Sequence, residues 1–260
     1  MRINKKHLDY VYKQFKNTPL WLKSPNGKPT HLTEEKWLIV RTIEFKEHYG
    51  NWESVAIKRF MEGNPIVEIT GFVFSDDGTP IVSRIAKWMK DKDDGDYVRD
   101  TPLGDVRITS RDIKDSWREG RRAIRAEAFR VVPDVLKKGI VFNLVKDYKG
   151  KSGLTRGLIA APVVISGKRY YVIVAVQYDM NAKRMVFHDA YTVERTMFDN
   201  NKEAQQEFLA TGAVPQNEGQ RTSPADNSVE PVLNVLRRHL FVNQNELKCR
   251  LDENGEPVLD

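Results

Sequence analysis

IVFNLVKDYKGKSGLTRGLIAAPVVISGKRYYVIVAVQYDMNAKRMVFHDAYTVE, residues 140–194, decides the architecture. It divides into four runs rich in β-branched and aromatic residues, Ile140–Tyr148, Arg156–Ile165, Lys168–Tyr178 and Arg184–Val193. Ser166-Gly167 and Asp179–Lys183 are short enough to be hairpin links, so the spacing predicts a four-stranded antiparallel meander. Alternation assigns the faces. In the third run Tyr170, Val172, Val174, Val176 and Tyr178 form an apolar side, while Arg169, Tyr171, Ile173, Ala175 and Gln177 form the other. In the fourth, Met185, Phe187, Tyr191 and Val193 point one way and His188 and Thr192 the other. With the first set as core, His188, Arg169, Gln177 and Thr192 share an open face, an assignment that one bulge would reverse.

Working outward, the chain before the meander is helical. Thr109 or Ser110 caps a stretch in which Ile113, Trp117, Ile124, Ala128, Val131 and Val135 recur at helical intervals. Gly120 divides it, Pro133 opens a last turn and Gly139 closes it. Helices followed by a hairpin-linked sheet make an α+β plan with helices on one face. Further upstream, Leu8, Val11, Tyr12 and Phe15 trace a short amphipathic helix, and Ser24–Pro29 is dense turn chemistry. Thr33 caps another helix, a further short helical run ends at Gly50, and Trp21, Trp37, Phe45 and Trp52 are expected to cluster. Between these regions, residues 53–104 yield only a short strand within Pro65–Phe74 and a helix over Ile81–Met89. The expected division is a small helical module at 1–60, an α+β domain at 65–196, and an acidic linker with a C-terminal helix at 197–260. The final ENGEPVLD reads as a frayed end.

Composition sets outer limits. With 260 residues and 40% hydrophobic content the chain can bury a core, which excludes wholesale disorder. No stretch approaches a membrane span, and the charged start lacks a secretory pattern, so neither membrane insertion nor signal-directed export is expected. A single cysteine, Cys249, allows no internal disulfide and fits a reducing compartment such as cytoplasm. Charge is unevenly placed. Residues 105–138 carry ten Lys/Arg against six Asp/Glu, 140–196 nine against four, and 197–260 six against eleven. A basic middle beside an acidic tail fits a polyanion partner, though a solvated surface gives the same count.

Two segments resemble known modules. Residues 21–53, through PNGKPT, Trp37, VRT at 40–42 and GNWE at 50–53, are similar to a recurring module of the long polyvalent proteins of phages and conjugative elements. Asn51 stands where an Asp is expected. The second segment, from ITGFVF at 69 to about Val193, resembles a nuclease-like domain of the same proteins within the barnase–EndoU–colicin–RelE superfamily. GDVRITSRDIKDS at 104–116, AFRVVPDVLKKG at 128–139, AAPVVISGKRYYVIVAVQYD at 160–179 and FHDAYTVE at 187–194 carry that likeness. It implies a barnase-like fold with an open sheet face, metal-independent cleavage of RNA, and toxin or effector duty in a host cell reached with a phage particle or conjugative element. RNA is then the partner, with an immunity or phage protein as a second. Trp117 and Arg118 stand where some members carry a histidine, so a non-catalytic RNA- or protein-binding member is the alternative.

Such cleavage needs a base for the 2′-hydroxyl, an acid for the leaving oxygen, and cations for the phosphorane. His188 is the one histidine of the basic middle and suits either proton role; equally, it is a satisfied strand histidine. Arg169 and Arg156 are the expected phosphate cations. Lys149 and Lys151 flank a glycine-containing loop able to cradle a phosphate, or simply a solvated hairpin. Tyr171 is placed to stack a base, and Gln177 and Thr192 to hydrogen-bond substrate. Glu119 and Glu127 are weaker candidates for the base. GKSG is not a nucleotide P-loop, because Val145 stands where its first glycine belongs and a strand follows. The five histidines share no ligand spacing, so neither metal nor cofactor is expected.

Overall fold

A computed structural model describes residues 1–71, 74, 78–92, 95–118, 123–146, 148, 153–179, 183–195 and 230–259. Four helices lead the chain: α1 (Lys5–Phe15), α2 (Glu34–Ile39), α3 (Ile43–Tyr49) and α4 (Trp52–Glu62). Asn4, Thr33, Thr42 and Asn51 each accept a first-turn backbone N–H, so all four starts are set by local side-chain capping. Then come β1 (Glu68–Ile69), α5 (Ile81–Lys92), β2 (Tyr97–Thr101) and β3 (Gly104–Arg107). Helices α6 (Ser110–Arg118), α7 (Ala123–Phe129) and α8 (Val132–Lys138) follow. Thr109 and Asp112 exchange hydrogen bonds as a capping pair before α6, Pro133 sits in the first turn of α8, and Gly139 ends it. The remaining elements are β4 (Ile140–Val145), β5 (Arg156–Ile165), β6 (Lys168–Asp179), β7 (Arg184–Glu194) and α9 (Glu230–Leu240).

The meander is present, since β4–β5, β5–β6 and β6–β7 all pair antiparallel. It is not the whole sheet. Seven strands run in the order β1-β5-β6-β7-β3-β2, with β4 also on β5, and both β1–β5 and β3–β7 are parallel. The expected four-stranded antiparallel sheet is therefore corrected to a mixed one. GDVR at 104–107 is too short to show a strand period, and only its pairing with β7 makes it one.

The sheet is covered on both faces. Val172, Val174 and Val176 pack with Ile85, Ile113, Phe129, Val135 and Leu136 from α5–α8. On the other face Tyr171, Ile173, Ala175, Tyr191 and Val193 meet Ile57 and Met61 of α4 and Val232, Leu233, Leu236 and Leu240 of α9. The face expected to be open is thus a second core along most of its length. Burial of several full aliphatic side chains there is worth about 1.5–3 kcal/mol each.

A bulge explains how β7 serves both layers. Val176 pairs with Phe187 and Ala175 with Asp189, leaving His188 as an extra, exposed residue. Before it, Met185 and Phe187 face α5–α8; after it, Tyr191 and Val193 face α4 and α9. The uniform alternation read from sequence fails at this one position.

The N-terminal helices form a third core around Val11, Trp37, Val40, Phe45 and Trp52, joined by Trp21 as the aromatic pattern predicts. Leu247, Cys249, Leu251 and Leu259 belong to it too, so the last residues are packed rather than frayed. Two Asn-Gly hairpins lie side by side there. In one, the Gly27 amide donates to Ser24 O at 2.8 Å; in the other, Gly255 donates to Asp252 O at 3.0 Å. The glycines have φ of 80° and 77°, a left-handed turn that a β-carbon would strain. Asn26 Nδ2 donates to Asn254 Oδ1 at 3.3 Å between them. Arg41 locks the arrangement. It lies 3.7 Å over Trp37, donates to Trp37 O and Lys23 O, and pairs with Glu256 at 3.3 Å and Glu53 at 3.5 Å. Burial pulls its pKa down against the pull of both carboxylates.

Candidate nucleic-acid interface

One row of side chains crosses the sheet at the end that α4 and α9 leave half-exposed. The pairings Tyr97–Arg107, Arg107–Val186, Val186–Gln177, Gln177–Arg156 and Arg156–Val145 put six residues on one face of six strands. All six are half-buried. At about 4.8 Å per strand the row is about 24 Å wide.

Its cations are arranged around tyrosines. Arg156 donates from Nη1 to the Tyr148 hydroxyl at 2.5 Å, with its guanidinium 5.0 Å from that ring. Arg184, two residues before Val186, donates to the Tyr97 hydroxyl and lies 5.7 Å from its ring. Among the described residues neither arginine has a carboxylate partner, and the Nε of each is buried without an acceptor. Their neighbours are neutralised. Arg99 pairs with Asp105 at 2.6 Å, its hydrogen bond holding that carboxyl below the ordinary range, and Arg107 reaches Asp96 at 3.7 Å. Two matched guanidiniums thus keep unspent charge and donors beside aromatic rings, which is an arrangement suited to phosphate oxygens.

Of the residues expected from sequence, the sheet brings Arg156 and Gln177 together as direct cross-strand partners. The segment holding Lys149 and Lys151 leaves the row at Val145 and returns at Arg156, but both lysines lie outside the described residues, as does Glu119. Arg169 is elsewhere. Its Nη2 donates to the carbonyls of Met61 and Gly63, closing the C-terminus of α4, so it does not reach for a phosphate. Tyr171 is 2% exposed beneath α4 and α9 and has no face to offer a base. Thr192 pairs with Val172 on the α5–α8 side, and its buried hydroxyl has no hydrogen-bond partner among the described residues. Each of these three is corrected by the second helix layer or by the bulge. His188 is exposed, two positions past Val186. Asp189 is 1% exposed and accepts hydrogen bonds from Ser116 of α6 and from the Ala190 amide. Glu127 is likewise buried, paired with Arg130 at 2.7 Å.

Sequence reasoning missed Tyr97, Arg107, Tyr148 and Arg184. Their alignment depends on the parallel β3–β7 contact and on a strand too short to recognise. The one signal available was that Arg184 and Arg156 each stand at the first position of a predicted strand.

The fold defines an α+β domain on a mixed sheet with helices on both faces. Residues 81–187 match the family model described as large polyvalent protein-associated domain 3, a likeness that covers less than half of the chain. That stretch begins with α5 and stops one residue short of His188, spanning both Arg156 and Arg184 but neither α4 nor α9. No curated protein and no solved structure matches the chain. Among the described residues no helix is long and apolar enough to cross a membrane.

Proposed function

We propose that this domain binds RNA through its phosphate backbone along the half-exposed sheet row, as a non-catalytic member of the nuclease-like group. The observation that carries this is the pair Arg156 and Arg184, neither with a carboxylate partner among the described residues. Counterion release by such cations supplies sequence-independent affinity. Gln177 of β6 lies between the strands of the two cations and adds donors to the same row, which continues past β7 to Arg107 of β3. Binding of a labelled single-stranded RNA, titrated at several salt concentrations, tests it. Wild type is expected to bind with a strong salt dependence, and an Arg156→Ala/Arg184→Ala protein to lose most of the affinity. Equal binding by both proteins defeats the reading.

A second reading, metal-independent RNA cleavage with toxin or effector duty, is favoured by one feature: the exposed His188 at the bulge beside the row. Bulges of this kind often re-aim a side chain beside a reacting group. Cleavage in EDTA that His188→Ala abolishes would establish it. RNA that stays intact under conditions of saturated binding leaves the binding role alone.

A further inference from the structure

We propose that His31, Asp252 and Glu256 form a metal site for a divalent transition ion, zinc(II) by their chemistry, which staples the two Asn-Gly hairpins together. The three side chains offer one ligand atom each, all within 4.8 Å of one another. His31 Nδ1 is 2.9 Å from Asp252 Oδ2 and 3.8 Å from Glu256 Oε2. Tetrahedral zinc with bonds of about 2.0–2.1 Å to nitrogen and oxygen sets its ligand atoms about 3.3 Å apart, a spacing these two distances straddle.

The surroundings orient the donors. Asp252 Oδ1 accepts from the Asn254 amide at 2.9 Å and the Glu256 amide at 2.8 Å, which turns Oδ2 toward the imidazole. Glu256 is fully buried, and Arg41 holds its Oε1 at 3.3 Å, leaving Oε2 on the His31 side. Thr30, next to His31, donates to that same Oε2 at 2.5 Å. Outer partners of this kind fix ligand rotamers in metal sites. Arg41 serves Glu256 and Glu53, and Lys46 also serves Glu53, so among the described residues Asp252 faces no cation when the imidazole is neutral. An imidazole with two carboxylates favours zinc and its neighbours over magnesium or calcium, which prefer all-oxygen shells. The half-exposed imidazole leaves room for a solvent molecule as fourth ligand. The ligands come from hairpins 226 positions apart, as measured by Thr30 and Glu256, so no sequence spacing announces them. The site lies in the N-terminal core and stands independently of the RNA-binding reading.

The test uses the full chain, stripped with a chelator and then dialysed against zinc chloride, with bound metal measured directly. One zinc per chain is expected, together with a rise in melting temperature that magnesium chloride does not reproduce. Cobalt(II) should give the visible absorption of a four-coordinate complex. His31→Ala changes an exposed ring and is expected to fold, as circular dichroism will verify, while losing at least tenfold in zinc affinity. Asp252→Asn keeps the turn's acceptor oxygen and is expected to weaken binding as well. Zinc bound equally by wild type and His31→Ala, or no stoichiometric zinc in wild type, overturns the proposal.

Discussion

Replacing Arg156 and Arg184 together by alanine removes the two guanidiniums of the sheet row that have no carboxylate partner among the described residues. For a single-stranded polymer each phosphate contact contributes about 0.7 to the slope of log affinity against log salt, so the double variant should lower that slope by about 1.4. Affinity should fall most at low salt and converge with wild type as salt rises. Fold stability should change little. Each arginine gives up one hydrogen bond to a tyrosine hydroxyl that water can replace and a stacking contact of about 0.5–1 kcal/mol. Fluorescence anisotropy with labelled oligouridine between low and moderate potassium chloride measures the slope, and urea melts measure stability. Lysine at both sites is the informative control, because it keeps charge while losing the guanidinium's fork of donors. An unchanged slope in the alanine protein, with the protein folded, refutes the assignment of this row.

Three further outcomes are expected. Leu236→Ala in α9 should destabilise by about 2–5 kcal/mol in urea, since Leu236 is fully buried in the second core; a loss below about 1 kcal/mol would mean that α9 is not integral to the sheet. His239 donates and accepts between Ser54 and Phe142 O, and burial depresses its pKa from 6.5 to about 4. The unfolded chain therefore binds the proton first, and stability present above pH 6.5 is lost as pH falls toward 4, by about 3 kcal/mol. His239→Gln should flatten the difference between melts at pH 7 and pH 5, and an identical pH profile would count against it. Thr192→Val removes a buried hydroxyl that has no partner among the described residues, so it should leave stability unchanged or raise it by up to about 1 kcal/mol, with RNA affinity unaltered.

Much of the architecture was legible because it is written locally. Thr33, Thr109, Pro133 and Gly139 mark helix ends through capping and ring constraints, which need no tertiary context. The four long strands were legible through their β-branched runs and short links. What was hidden lies in pairings between distant segments. Nothing in Arg169-Tyr170-Tyr171 reveals that a helix 108 positions earlier needs its carbonyl capped, yet that contact takes Arg169 out of the site. The apolar residues Tyr171, Ile173 and Ala175 were visible, but an apolar face reads equally as an open platform or as the floor of another layer until α9 is seated on it. Arg156 and Gln177 meet as direct cross-strand partners because β5 and β6 form a tight hairpin with regular register, a pairing that the short Ser166-Gly167 link makes countable. Arg184 and Tyr97 were not, because β7 meets β3 in parallel and only over two residues.

The surplus residue in β7 has its own consequence. Excising His188 would leave Asp189, Ala190 and Tyr191 opposite the same β6 neighbours as before, since Ala175 and Val176 are already consecutive across the gap. The ladder would simply become regular. Neither core requires that imidazole, and the strand would close more smoothly without it. A one-residue excision at the rim therefore separates what the sheet needs from what its surface does, which few alanine substitutions achieve.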